Sequence, residues 1–213
     1  MGLATVLACV VAIPAQALAD DTGADISACS QHQLSQPFMG NQDFNWYAYA
    51  PGMSSAGFDP AGWVLNGGAS VVQTKLANGL TGGVLNLPTG ATAVSPAMCV
   101  SSGYQLSRAQ IRTLTADSGG GVALSVSSMG AGGWSTPVRV GNFATNDSAW
   151  GLSGTVKLQP AATSGWQLVR FTLTSATSGK GFQLRSLAAQ VSTELALPPW
   201  TPRLAPSPSS PSV

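Results

Sequence analysis

The feature that most restricts this chain is a two-residue alternation of apolar and polar side chains, repeated in short runs and cut off by glycine-rich turns. Val122, Leu124 and Val126 alternate with Ala123, Ser125 and Ser127, and Val169, Phe171 and Leu173 alternate with Leu168, Arg170 and Thr172. Successive side chains of a strand point to opposite faces, so each run reads as a strand with one face in a core and one toward water. Further runs occur at 63–65, 69–73, 83–87, 91–94, 105–116, 138–143, 155–158 and 182–191, each bounded by Gly, Pro, Asn or Ser. Residues 44–49 form a first strand or an extended aromatic lead-in, and 51–62 reads as loop. No window of a dozen residues sustains a 3.6-residue period with caps. The nearest helix candidate, Ser107 to Thr115, has a Thr and Ile content that suits a strand equally. Many short strands without intervening helices predict an all-β fold, an antiparallel β-sandwich or jelly roll.

The 213 residues, 44% of them hydrophobic, suffice for one such domain with appendages. Residues 1–19 read as a signal peptide: an apolar run from Leu3 to Ile13, a break at Pro14, and small residues at Ala17 and Ala19 for cleavage. The run is well short of the ~20 apolar residues that span a bilayer, which argues against stable membrane insertion. No Lys or Arg precedes it, as in a weak signal or one whose start lies upstream. Residues 20–43 read as an extended lead-in, 44–197 as the sandwich domain, and 198–213 as a flexible Pro/Ser-rich tail.

Export also accounts for the cysteines. Cys9 leaves with the signal, and Cys29 and Cys99 remain as an even pair that an oxidising compartment would join in a disulfide. A lipoprotein acylated at Cys9 is the other reading, which Val10 to Ile13 disfavour by continuing the apolar run. Nine Lys and Arg against eight Asp and Glu give no basic field for nucleic acid.

The residues suited to catalysis are few. His32 is the single histidine, and no nucleophile elbow accompanies it. Asp43, Asp59, Asp117 and Asp147 all stand in turn-like contexts where Asp serves local hydrogen bonding, so no catalytic pair is nominated. Nothing supplies a zinc or calcium ligand set, and no cofactor is implied. The aromatic residues are more informative. Trp134 follows Gly132-Gly133, and Trp150 follows Asn146-Asp147-Ser148-Ala149. A ring on a loop beside amides and hydroxyls suits a sugar, which offers an apolar face to stack and hydroxyls to bond. The candidate ligand-binding residues are therefore Trp134, Trp150, Asn146 and Asp147. Trp63 and Trp166, at strand starts, read as core, which is also the alternative for Trp134 and Trp150.

The order Cys29, Pro37-Phe38, Pro51-Gly52, Gly62-Trp63-Val64-Leu65, Gly67-Gly68-Ala69, Ser95 to Val100, Val169-Arg170-Phe171 and Phe182-Gln183-Leu184 resembles a group of secreted bacterial proteins with galactose-binding-type jelly rolls. These are relatives in shape of carbohydrate-binding modules. The resemblance implies the sandwich, the Cys29 to Cys99 link and, by analogy, sugar binding. It also leads one to look for calcium-holding carboxylates after Pro51-Gly52 and in the last strand, where this chain has Met53-Ser54-Ser55 and Arg185-Ser186 instead.

The expectation is a secreted, non-catalytic module that binds carbohydrate or another cell-surface polymer. An extracellular structural or adhesive domain and a glycan-active hydrolase are the other readings. Because both calcium positions lack carboxylates, EDTA is expected to leave the melting temperature unchanged; a drop that calcium restores would contradict this.

Overall fold

The described residues of this computed structural model are 29–30, 32–76, 79–114, 120–145, 147–158, 165–175 and 181–192. The signal segment 1–19, Cys9, Asp117, Asn146, Glu194, Trp200 and the Pro/Ser-rich tail 198–213 lie outside them. In chain order the strands are β1 (Leu34–Ser35), β2 (Tyr47–Tyr49), β3 (Met53–Ser54), β4 (Gly57–Phe58), β5 (Val64–Asn66) and β6 (Ser70–Lys75). They continue as β7 (Thr81–Leu87), β8 (Thr92–Val94), β9 (Met98–Ser101), β10 (Leu106–Thr113), β11 (Gly121–Gly130) and β12 (Gly133–Trp134). The last are β13 (Val138–Ala144), β14 (Gly151–Leu152), β15 (Val156–Lys157), β16 (Trp166–Ser175) and β17 (Phe182–Gln190).

Among the described residues the strands pair antiparallel throughout, and two packed sheets make a β-sandwich of the jelly-roll kind. In the first sheet β17 is central: it pairs β10 on one side, and β7 and β2 on the other at different heights. In the second, β16 is flanked by β11 and by β8 and β9. The alternation decides which way each strand faces. Val122, Leu124, Phe171 and Leu173 are buried together with Ile111, Leu85, Leu87, Phe182 and Leu184 between the sheets. Residues 107–113 of the helix candidate resolve as strand because eight residues of β10 pair with β17, a long-range ladder that overrides weak local preference.

The stretch 51–62, which reads as loop, contains the β3–β4 hairpin. Gly52 opens it with φ 74°, and a Cβ there would stand 2.1 Å from the Asp59 carbonyl oxygen. Phe58 and Met53 carry the hairpin into the core, where Phe58 meets Trp63 edge to face at 5.2 Å. The Trp63 Nε1–H donates to the Pro51 carbonyl at 2.8 Å. This tryptophan belongs to the core.

The lead-in is tied down twice. Cys29 and Cys99 form a disulfide, which fastens it to β9 of the second sheet. His32 donates to the Cys99 carbonyl at 2.6 Å and packs against Tyr104 and Trp166, so it serves this junction. Further on, β1 pairs β2 of the first sheet, and Phe38 is buried against Tyr47 at 4.8 Å between ring centres. The disulfide closes a loop of 70 residues, which in the chain-entropy account stabilises the fold by about 4 kcal/mol. Replacing both cysteines by serine is expected to lower the melting temperature by about 10 °C, read by circular dichroism; an unchanged midpoint would contradict this.

Candidate functional site

Side chains that alternate with the core positions of β10 and β17 must face away from the second sheet. On β10 these are Arg108, Gln110 and Arg112, between the buried Ala109 and Ile111. On β17 they are Gln183 and Arg185, and a β-bulge adds Ser186, because Gln110 pairs Ser186 while Ile111 pairs Leu184. The bulge leaves Arg185 as the extra residue and turns two consecutive side chains to one face.

These groups hold one another in place through hydrogen bonds. Arg185 Nε donates to Gln110 Oε1 at 2.8 Å, its Nη2 donates to the same oxygen, and Gln110 Nε2 donates to Asn41 Oδ1 at 2.9 Å. Arg112 donates twice to Gln183 Oε1, at 2.9 and 2.7 Å, and Gln183 Nε2 donates to Asn86 Oδ1 at 3.2 Å. The result is a plate of planar amides and guanidinium groups on the outer face of the first sheet.

Aromatic rings border the plate. Trp150, just before β14, lies under the Arg112 guanidinium, 4.7 Å from the ring centre, and 5.8 Å from that of Arg185. Its loop is pinned to β10 by the Thr113 N–H, which donates to the Asp147 carbonyl at 2.9 Å. The Asp147 carboxylate accepts the Ala149 N–H at 2.8 Å. Tyr49 is half-buried on the other flank; burial raises its hydroxyl pKa, and Arg185 opposes the rise. Burial lowers the Arg185 guanidinium from its ordinary value, yet an arginine stays charged at neutral pH.

Two recesses open on this face. One, of about 250 Å³, is lined by residues that include Tyr49, Ser54, Ser55, Gln110, Arg185 and Ser186. Its walls are the two stretches in which the resemblance looks for carboxylates, and the charge between them is a guanidinium. The other, of about 670 Å³, is lined by Asn41, Gln42, Asp43, Phe44, Asn45, Arg108 and Leu152. Phe44 is 63% exposed at its edge. Gln42 adopts φ 61°, an uncommon conformation for a residue with a Cβ.

Asp43 anchors this second recess and is only 6% exposed. Its carboxylate accepts the Tyr47 hydroxyl at 2.6 Å, Arg108 Nη1 at 2.5 Å and the Asn45 backbone N–H at 3.1 Å. Burial pushes its pKa up, but the Tyr47, Arg108 and Asn45 bonds outweigh that and hold it below the usual carboxylate value. The turn-like local bond is the one its sequence context predicts; Tyr47 and Arg108 are additions of the fold.

The four sequence candidates are not brought together. Trp150 and Asp147 stand beside the plate, and Asn146 lies outside the described residues. Trp134 is on the other sheet, where the Arg170 guanidinium lies 4.1 Å from its ring centre. Arg170 alternates with the buried Val169 and Phe171, so Trp134 and Trp150 cover opposite outer faces of the sandwich. Arg108, Gln110, Arg112, Gln183 and Arg185 were missed. Their signal is present: Arg108-x-Gln110-x-Arg112 at spacing two puts three long polar side chains on one face once 105–116 is taken as a strand.

No protein-family model matches the chain, and no curated protein does. Some solved structures are similar to part of the chain. The CBM22 and GH10 modules of Clostridium thermocellum endo-1,4-β-D-xylanase 10B complexed with xylohexaose are 12% identical, with a TM-score of 0.46 over 67% of this chain and 27% of that one. The C-terminal family 22 carbohydrate-binding module of the same xylanase is also 12% identical, with a TM-score of 0.48 over 69% of this chain and 95% of that one. A family 6 carbohydrate-binding module from Clostridium cellulolyticum in complex with xylose is 13% identical, with a TM-score of 0.37 over 56% and 85%. What this chain binds rests on its own side chains.

Asp43→Asn is expected to cost about 2 kcal/mol at neutral pH, since Arg108 loses its charged partner in a half-buried setting. A carboxyl held below its usual value contributes fully above pH about 4 and loses that contribution as pH falls through the lower, folded value. Denaturant melts of wild type and variant should therefore converge below pH about 4; a constant difference would show that the charge is not the cause.

Proposed function

We propose that the chain is a secreted, non-catalytic β-sandwich module that binds carbohydrate on the outer face of its first sheet. The observation that carries this is the plate itself: amide and guanidinium groups fixed by mutual hydrogen bonds, bordered by Tyr49 and Trp150 and opening into two recesses. Sugar recognition needs ring faces for the apolar patches of a pyranose and planar donors and acceptors for its hydroxyls. Groups already held in place lose little freedom on binding. Export is supported by the signal-like segment 1–19 and by the Cys29–Cys99 bond, which suits an oxidising compartment.

Binding is favoured over hydrolysis because the described carboxylates are engaged elsewhere. Asp43 lies in a buried ion pair, Asp59 accepts the Ala61 N–H and Asp147 the Ala149 N–H. Glycoside hydrolysis needs two carboxyl groups facing across the bond to be broken. A closed structural module is disfavoured by the same face, where Phe44 remains largely exposed and the plate lines open recesses.

The test is a glycan array and affinity electrophoresis in polysaccharide gels with the exported protein. Binding to at least one polysaccharide is expected, with Trp150→Ala weakening it roughly tenfold while costing about 1–2 kcal/mol of stability, the range for a desolvated cation–π contact and partial burial. Failure to bind any glycan would overturn the proposal, and unchanged affinity in a folded Trp150→Ala protein would move the site off this face.

A further inference from the structure

Two guanidinium groups of the plate, those of Arg112 and Arg185, have no carboxylate paired with them among the described residues. Among the described residues the ion pair between Arg108 and Asp43 is the one that forms, at 2.5 Å. Arg112 and Arg185 are both half-buried, and each points its Nε and Nη2 at the oxygen of a neutral glutamine, Gln183 and Gln110 respectively. The nearby carboxylate, Asp147, is exposed and turned onto its own loop at Ala149. A partly desolvated guanidinium is ordinarily matched by a carboxylate. Here each has a glutamine oxygen on one edge and the Trp150 ring on one side, and of its five N–H donors two are used on that oxygen.

We propose that the outer face of the first sheet selects carboxylate-bearing polysaccharides, with the uronate carboxylate taken by Arg185 in the smaller recess and by Arg112 beside it. This rests on the carbohydrate-binding reading of the same face and names its ligand class. The recess of about 250 Å³ is large enough for one pyranose ring. Tyr49 gives that ring a wall, Ser186 brings a hydroxyl to it, and Arg185 is the charged group lining it. Guanidinium is the side chain whose paired N–H groups match a carboxylate, and the contact is stronger away from bulk water. Gln110 and Gln183 hold the two guanidinium groups without cancelling their charge, which a glutamate in either place would do. The low overall charge of the chain sharpens the effect, since no broad basic field surrounds the pair to attract anions indiscriminately.

The experiment compares polygalacturonate with its carboxyl-reduced form, and glucuronoxylan with unsubstituted xylan, by isothermal titration of the exported wild-type protein at fixed ionic strength. The acidic member of a pair is expected to bind at least about tenfold more tightly, the worth of one charge-assisted contact, with affinity falling as salt is raised. Arg185→Gln and Arg112→Gln, each verified as folded by its melting curve, should each remove most of that preference, and Arg185→Lys should retain part of it. Equal binding of the acidic and neutral members would overturn the selectivity while leaving carbohydrate binding intact. Acid preference that survives the folded double variant Arg112→Gln/Arg185→Gln would place it on another surface and also overturn the assignment. Absence of binding to all four polymers and to the glycan array would remove the carbohydrate reading itself.

Discussion

The pairing of β10 with β17 is the seam on which the rest of the molecule depends. Eight residues of β10 are in register with β17, and β17 in turn pairs β7 and β2, so the first sheet is assembled around it. Alternation along this seam commits Ala109, Ile111, Leu184, Leu187 and Ala189 to the core, where burial of apolar area supplies the main drive to fold. The same geometry leaves Arg108, Gln110, Arg112, Gln183 and Arg185 no place except the opposite face. The polar plate is thus the other side of the core-forming strands, and its rigidity is inherited from the ladder beneath it. One irregularity, the bulge at Arg185, adds Ser186 to that face and brings both residues to the smaller recess.

The lead-in builds the remainder of the face. It is bonded to the second sheet through Cys29–Cys99 and then paired with the first through β1, so it passes from one sheet to the other. Phe38, Tyr47 and Ala188 form a small apolar cluster of their own outside the main core, and on it stand Asn41, Asp43 and Phe44, which wall the larger recess. Asp43 joins the two parts: its carboxylate receives Tyr47 from β2 and Arg108 from β10. The disulfide and this ion pair act on opposite sheets, so a segment with almost no secondary structure of its own holds a defined position.

How far the site could be read from the chain depends on the residue. The local bond between Asp43 and Asn45 spans two residues, and the turn-like context of Asp43 predicts it. The partner Arg108 is 65 residues away, and no local pattern specifies it. Trp134 and Trp150 have similar glycine- and serine-rich surroundings in the sequence, yet each goes where its strand goes, Trp134 with β12 and β11, Trp150 with β14 and β10. Trp63 shows the converse: its place at a strand start was enough to predict a core position, because the Gly-Trp-Val-Leu context permits little else.

The sequence by itself determined the fold class, the two faces of β11 and β16 and the pair of cysteines left to combine, because alternation, turn residues and residue chemistry act over a few positions. The tertiary structure alone decided that 107–113 is strand, that Trp134 and Trp150 lie on opposite faces, and that Gln110 and Gln183 rather than carboxylates meet Arg185 and Arg112. Those outcomes depend on which strands pair and in what register, and a ladder between residues some 70 positions apart is set by the burial of the whole core and not by any segment of it.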